Sequence, residues 1–425
     1  MPVSFSEFAG GVGAETAFSV LAAAKRLKAQ GKRVIELEIG DSPFPSTRAA
    51  KQAGTAAIAA DQSHYCPSIG LPELREAAAN YVNREHGLNV TAANVVVGPG
   101  AKIFEQIFCE TFLNPGDGVL VFSPYFPTYL PNIARRSARA RLADLRSSDH
   151  FRPRLDEIAR FLSEDPHPRA IFLNSPHNPT GGVATEEDLK AIADMIRGRD
   201  VAVLCDEPYD QMVWQGRHHT LLAQPGMLEQ CVAAYTFSKS YSMSGWRLGF
   251  AVADARVIER MATLLNTTIS CVPPIVQLAG AAALSADNAE CDANMERFRG
   301  QVMALADGLA AIPEIRCTPP DATFYVFPDV RAICNRLGLT SHGLAMFLLE
   351  GADDEMGVAC LGGECFGGAG AGFLRFSCAE PADVILEAVA FLKTAIQRED
   401  RAQAFAKARP EFQLDRPYPM TIAES

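Results

Sequence analysis

Residues 170–209 read AIFLNSPHNPTGGVATEEDLKAIADMIRGRDVAVLCDEPY. Two short apolar runs, 170–173 and 201–205, enclose a segment, 185–197, whose apolar residues recur at three- and four-residue intervals. Unbroken apolar runs, rather than alternating ones, are what strands covered on both faces require, and the intervening segment predicts a helix with one buried face. Thr185 and Asp188 stand where first-turn signals belong. Moving outward, similar runs occur at 94–98, 118–122, 231–235 and 248–252, and helical patterns at 72–84 and 101–113. The alternation predicts an α/β architecture with a mostly parallel sheet flanked by helices.

The C-terminal part has a different texture. A long amphipathic pattern at 294–312 is followed by short runs at 323–327 and 373–376 and a helix over 382–398. Fewer strands and more helix predict a smaller α+β domain, joined from the other chain end by a helix over 16–29 and a strand over 34–39. The expected division is a large domain over 41–290, a small domain over 1–40 plus 291–398, and a charged, proline-containing surface tail over 399–425.

The 425 residues suffice for two or three domains, and 48% hydrophobic against 21% charged residues excludes disorder. Thirty-nine Lys and Arg against 50 Asp and Glu give a net charge of −11 with no basic block, which disfavours nucleic acid and anionic lipid as partners. Eleven cysteines, an odd number with no C-x-x-C, argue against a disulfide framework and a zinc site and for a reducing compartment. No signal-peptide-like start and no long apolar run is present, so a cytoplasmic protein is expected.

Polar residues gather where the apolar runs end, the place at which open α/β sheets bind ligands. Gly98-Pro-Gly-Ala-Lys102 joins a strand to a helix, where glycines allow close backbone approach and a helix N-terminus offers N–H groups to an anion; Ile103 rules out the third glycine of a dinucleotide fingerprint. A loop, Asn174-Ser-Pro-His-Asn-Pro-Thr-Gly181, follows the first quoted run. Asp206 closes the second, and a carboxylate there needs either a ligand cation or a structural ion pair. Between two apolar runs, Thr236-Phe-Ser-Lys-Ser-Tyr-Ser-Met-Ser-Gly-Trp-Arg-Leu-Gly249 carries Lys239 and Arg247 among hydroxyl side chains. Arg375, inside the run Phe373-Leu-Arg-Phe376, needs an anion, from a structural or a ligand carboxylate.

The segments SPHNPTGG (175–182), DEPY (206–209) and FSKSYSMSGWRLGF (237–250), in this order and spacing, resemble the fold-type I pyridoxal-phosphate enzymes, specifically the class I/II aminotransferases. The resemblance runs from about residue 15 to 395. It implies pyridoxal 5′-phosphate as cofactor, with Lys239 as its covalent anchor and the base that moves the substrate α-proton. It implies Asp206 on the pyridine nitrogen, Asn178 and Tyr209 on the ring oxygen, and Phe126 (less readily Tyr125) over the ring face. Gly100, the backbone of Ala101 and Lys102, the hydroxyls of Thr236 and Ser238, and Arg247 would take the phosphate. Tyr65 would reach the phosphate of a neighbouring subunit, which implies a homodimer. Arg375 would grip the substrate α-carboxylate, with Asn178, Gly40 and Glu15 also on the substrate side. The implied reaction exchanges an amino group between an L-amino acid and a 2-oxo acid by a ping-pong route. A lyase, decarboxylase or cyclase on the same scaffold is the alternative, because one carbanion serves all these reactions.

Departures from the family pattern fall in substrate-side and domain-linking segments: Gly362 in place of a proline, Ala322 in place of a glycine, and no double arginine in the long small-domain helix. Glu15 is expected to disfavour dicarboxylates and to face a cationic or polar side chain, against a plain helix-start role. His218 and His219 adjoin with no third ligand near in sequence, so no metal is expected there. Cys360 and Cys365 read as packing residues.

Overall fold

The computed structural model describes residues 3–13 and 15–420. The chain enters through the helix Thr16–Ala29 and strand β1 (Arg33–Glu36), then builds a seven-stranded sheet. Its strands are β2 (Val95–Gly98), β3 (Gly118–Ser123), β4 (Arg139–Asp144), β5 (Pro168–Asn174), β6 (Ala202–Asp206), β7 (Cys231–Thr236) and β8 (Gly249–Val252), in the order β2-β8-β7-β6-β5-β3-β4. All neighbours run parallel except β8, antiparallel to both β2 and β7. The unbroken apolar runs have the reason inferred from them: Val95 and Val97 pack into the core on one face and Val96 into the core on the other. The edge strand β4 is mostly exposed, and its Arg139 and Arg141 conceal it from a reading based on apolar runs.

Local signals place the crossover helix between β5 and β6. Thr185 Oγ1 accepts from the Asp188 N–H at 3.1 Å while Asp188 Oδ2 accepts from the Thr185 N–H at 2.9 Å, starting the helix Glu186–Ile196. The helix Pro72–His86 stops at Gly87, whose φ of +66° suits glycine.

After the long helix Ala289–Ala310 the chain adds β9 (Tyr325–Val326), β10 (Met356–Ala359), β11 (Leu361–Gly362) and β12 (Leu374–Ser377). β1 pairs in parallel with β10, and β12 lies between β11 and β9. Val20, Ala24 and Ile35 from the chain start share one core with Phe298, Leu305, Leu348 and Phe391. The stretch after Arg398 is not the surface tail expected. It forms the helix Glu399–Ala408, which buries Ala402 and Ala406, and Phe412 is buried beyond it. Its apolar positions form a narrow stripe whose signal is diluted by the charges on the outer face. Tyr418 then donates from its hydroxyl to Glu364 at 2.7 Å. Among the described residues no helix is long and apolar enough to cross a membrane.

Candidate active site

The C-terminal ends of β5, β6 and β7 open onto a cleft of about 460 Å³. Fifteen residues stand out in the sequence as candidates for the site, and all but Gly100 and Tyr65 line it: Glu15, Gly40, Ala101, Lys102, Phe126, Asn178, Asp206, Tyr209, Thr236, Ser238, Lys239, Arg247 and Arg375 share its wall with Phe18, Glu105, Ser244 and Tyr325.

Lys239 leaves the end of β7 and donates to the Gly40 carbonyl at 2.6 Å, with its ammonium 5.8 Å from the Tyr209 ring centre and 5.7 Å from that of Phe324. Gly40 has a steric reason to be glycine, since a Cβ there would overlap the Tyr325 hydroxyl. Asp206 is buried at the end of β6, and the Tyr129 hydroxyl donates to its Oδ2 at 2.5 Å. Burial pushes the Asp206 carboxyl above the usual range; the Tyr129 hydrogen bond opposes this and the neighbouring Glu207 adds to it. Glu105, buried nearby and accepting from Thr128 Oγ1 at 2.6 Å and Asn132 Nδ2 at 3.0 Å, is pushed up by burial and by Asp206. The two acids resist being charged together, so a cation brought to Asp206 is strongly favoured.

On the Arg247 side of the cleft, Arg247 donates to the carbonyls of Ser244 at 2.7 Å and Pro99 at 3.3 Å, and Thr236 Oγ1 donates to Ser238 Oγ at 2.9 Å. The start of the helix Lys102–Phe112 brings the N–H groups of its first turn to the same side. Gly100, with φ +86°, lies beneath Arg247: a Cβ there would come 2.7 Å from Nη2. Elsewhere on the cleft wall Arg375, on β12 and 4% exposed, donates to Asn178 Oδ1 at 3.1 Å and the Glu38 carbonyl at 2.5 Å. The rings of Tyr325 and Phe366 flank its guanidinium at 4.4 and 4.9 Å, and its Nε has no partner. Both arginines thus meet neutral oxygens, leaving their charge for an anionic ligand. Among the described residues no carboxylate pairs with Arg375.

Other placements refine the sequence reading. Phe126 lines the cleft, whereas Tyr125 packs on Gly367. Tyr65 stands outside the cleft, 88% exposed. Glu15 reaches the mouth, but its carboxylate meets this chain's own Lys102 at 2.5 Å, and that ammonium lies 5.1 Å from the Phe126 ring centre. A Cβ on Gly362 would overlap the His342 backbone, a steric reason for glycine there. Tyr129, Tyr325 and Glu105 escaped the sequence reading because aromatic and helix-stripe positions read as core; only packing brings Tyr325 and Glu105 to the cleft wall and the Tyr129 hydroxyl onto Asp206.

Residues 32–392 match the sequence profile described as aminotransferase class I and II. The chain belongs to the class I and II aminotransferases. This aminotransferase is 31% identical over 368 residues to the aspartate aminotransferase of Pyrococcus horikoshii, covering 86% of this chain and 91% of the relative. It is 32% identical over 359 residues to the arginine–pyruvate transaminase of Pseudomonas aeruginosa, covering 84% and 89%. The aspartate aminotransferase of Thermus thermophilus solved with maleate superposes with a TM-score of 0.86 at 28% identity, over 93% of this chain and all of that one. The chain is therefore a pyridoxal-phosphate-dependent transaminase of fold type I, moving an amino group between an amino acid and a 2-oxo acid by the ping-pong route of its class. The donor set fits the cofactor. Arg247 and the hydroxyls beside it offer anion-binding groups, Asp206 offers an anion for a ring cation, and Lys239 and Arg375 line the same cleft.

Proposed function

We propose that this aminotransferase takes amino donors with uncharged, apolar side chains, and that Lys239, Asp206, Asn178, Tyr209, Arg247 and Arg375 divide the work of the cleft. The observation that carries the reading is that one cleft holds two arginines with separate sets of partners, each hydrogen-bonded to neutral oxygens, together with Lys239 and Asp206. Bound pyridoxal phosphate supplies an electron-withdrawing ring that takes up the charge left when the substrate α-proton departs. Asp206 holds the ring nitrogen protonated, and Asn178 and Tyr209 hold the ring oxygen. Arg247, with Gly100, Ala101, Lys102, Thr236 and Ser238, anchors the phosphate. Phe126 covers the ring. Arg375 orients the substrate carboxylate, and the amine of Lys239 carries the proton off the α-carbon.

Substrate choice rests on the walls. Ala17, Phe18, Ile39, Phe126 and Tyr325 are apolar or aromatic, and the cation at the mouth, Lys102, is already neutralised by Glu15. A second substrate carboxylate finds no unpaired cation there. Tyr65 at 88% exposure, with Ile58 at 62% and Phe18 at 57%, supports a homodimer in which Tyr65 completes the neighbouring site, and a solution mass of two chains is expected. Eleven unpaired thiols support the cytoplasm as its compartment.

The test is a panel of amino donors added to the holoenzyme, followed in the cofactor absorption band. Apolar donors should convert the cofactor to its aminated form and a 2-oxo acid should return it, with borohydride trapping the cofactor on Lys239. Failure of the return step would leave the lyase or decarboxylase alternative standing. Glu15→Gln frees Lys102 and should raise the kcat/KM for aspartate relative to phenylalanine by about fivefold, the scale of one exposed charge pair of about 1 kcal/mol. An unchanged ratio removes Glu15 from specificity.

A further inference from the structure

Glu207 follows Asp206 directly, and alternation along the extended chain sends the two carboxylates to opposite sides. Asp206 faces the cleft. On the other side, Glu207 meets His86, the last residue of the helix Pro72–His86, and His218, from the loop between β6 and β7. One ring nitrogen from each histidine and one Glu207 oxygen all lie within 4.8 Å of one another. Glu207 Oε2 is 3.0 Å from His218 Nε2, and its Oε1 accepts from Thr220 Oγ1 at 2.7 Å. The Nε2 of His86 and the Nδ1 of His218 are buried without a hydrogen-bond partner.

Both histidines line a second cavity, of about 510 Å³, separate from the active-site cleft. Its remaining charged lining is Glu85, Asp210, Asp292 and Glu296 against Arg217 and Arg299, so four carboxylates outnumber two guanidiniums. Such a wall draws cations toward the cluster.

We propose that His86, Glu207 and His218 bind a divalent transition metal of the zinc type, with a fourth coordination position open to this cavity. Two imidazoles and one carboxylate are a zinc-type donor set, and three protein ligands leave one place for water. Metal–ligand bonds of about 2.0–2.2 Å set neighbouring donor atoms roughly 3.3 Å apart in a tetrahedral site. The Glu207–His218 pair is already at that spacing, and His86, half-buried at a helix end, needs to close by at most about 1.5 Å. Thr220 orients the carboxylate from behind. On binding, the shared Glu207–His218 hydrogen bond is replaced by a bond from each to the metal, and any proton between them passes to solvent. The metal would pin a helix end and the His218 loop to the residue beside Asp206. Neighbouring in sequence, His219 takes no part; it lies instead 3.9 Å from Glu186.

The test uses holoenzyme dialysed against a chelator and titrated with Co²⁺, then with Zn²⁺. One Co²⁺ per chain should bind with the visible d–d absorption of a tetrahedral site, and Zn²⁺ should displace it. His86→Ala should weaken binding at least about tenfold, the lower end of what perturbing a metal ligand's support costs. His219→Ala should bind like the wild type. If His86→Ala does not fold, His86→Gln carries the same comparison. No stoichiometric Co²⁺ on the wild-type protein overturns the proposal. So does undiminished binding by the His86 variant, which would assign the metal to the thiols or to the cofactor.

Discussion

Arg247 and Arg375 line one cleft, and each spends its local hydrogen bonds on neutral oxygens. They differ in solvent. Arg247 is exposed at the end of a loop, while Arg375 is 4% exposed between two aromatic rings with Nε unpartnered. The difference teaches how one kind of side chain serves two tasks. In the proposed roles, the exposed guanidinium would reinforce an anion site already built from backbone N–H groups and hydroxyls, whereas the buried one would itself be the site, because its charge has nowhere else to go.

Arg375→Ala should have the largest effect. Removing a desolvated charge partner typically costs about 3–5 kcal/mol, so kcat/KM for amino donors should fall by roughly 10²–10⁴-fold while the cofactor stays bound and its absorption band is retained. Steady-state kinetics beside the holoenzyme spectrum reads both; a small loss would show that Arg375 is a packing residue.

Next in size is Glu38, whose carboxyl is fully buried near Arg375 with both oxygens unpartnered. Burial pushes it up to about 7. The folded pKa lies above the unfolded one, so the folded chain holds the proton longer. Its contribution to stability is complete below the unfolded pKa and is lost as pH rises through 7, by on the order of 3 kcal/mol. Glu38→Gln should flatten the difference between denaturant midpoints at pH 5 and pH 8, and an unchanged pH slope would mean that Glu38 is charged and paired in the folded state. The neutral form also keeps Glu38 from competing with a ligand carboxylate for Arg375, a protection that the exposed Arg247 does without.

Arg247→Ala should have the smallest effect. Backbone and hydroxyl donors remain, so a loss of about 1–2 kcal/mol, near tenfold in cofactor affinity, is expected, with KM for amino donors little changed at saturating cofactor. Dialysis followed by cofactor titration measures it, and an equal loss in KM would erase the distinction between the two arginines.

The parts of the site that were legible have chemistry that dictates residue type at strand ends. Asp206 closes an apolar run, Lys239 and Arg247 share one loop between two runs, and Asn178 sits in a proline-broken loop. Glu105 was hidden because it lies on the apolar stripe of its helix, and Tyr129 because a tyrosine at a helix start reads as packing. The helix Glu399–Ala408 was hidden by its charged outer face. For Glu15 the position was legible and the partner was not, since Lys102 reaches it from a helix far along the chain.

By itself, the sequence determined the α/β pattern, the strand ends that carry chemistry, and the residue types needed for an amine, a ring partner and two anion anchors, because these follow from local periodicity and functional-group chemistry. Only the tertiary structure decided which charges are already satisfied. It gave Lys102 to Glu15, left Arg375 to a ligand, and brought His86 and Glu207 to a histidine that has no metal-ligating neighbour at a suitable spacing along the chain. Burial and pairing depend on which distant segments fold against each other, and a carboxylate or guanidinium carries the same formal charge in the sequence whether or not a partner will meet it.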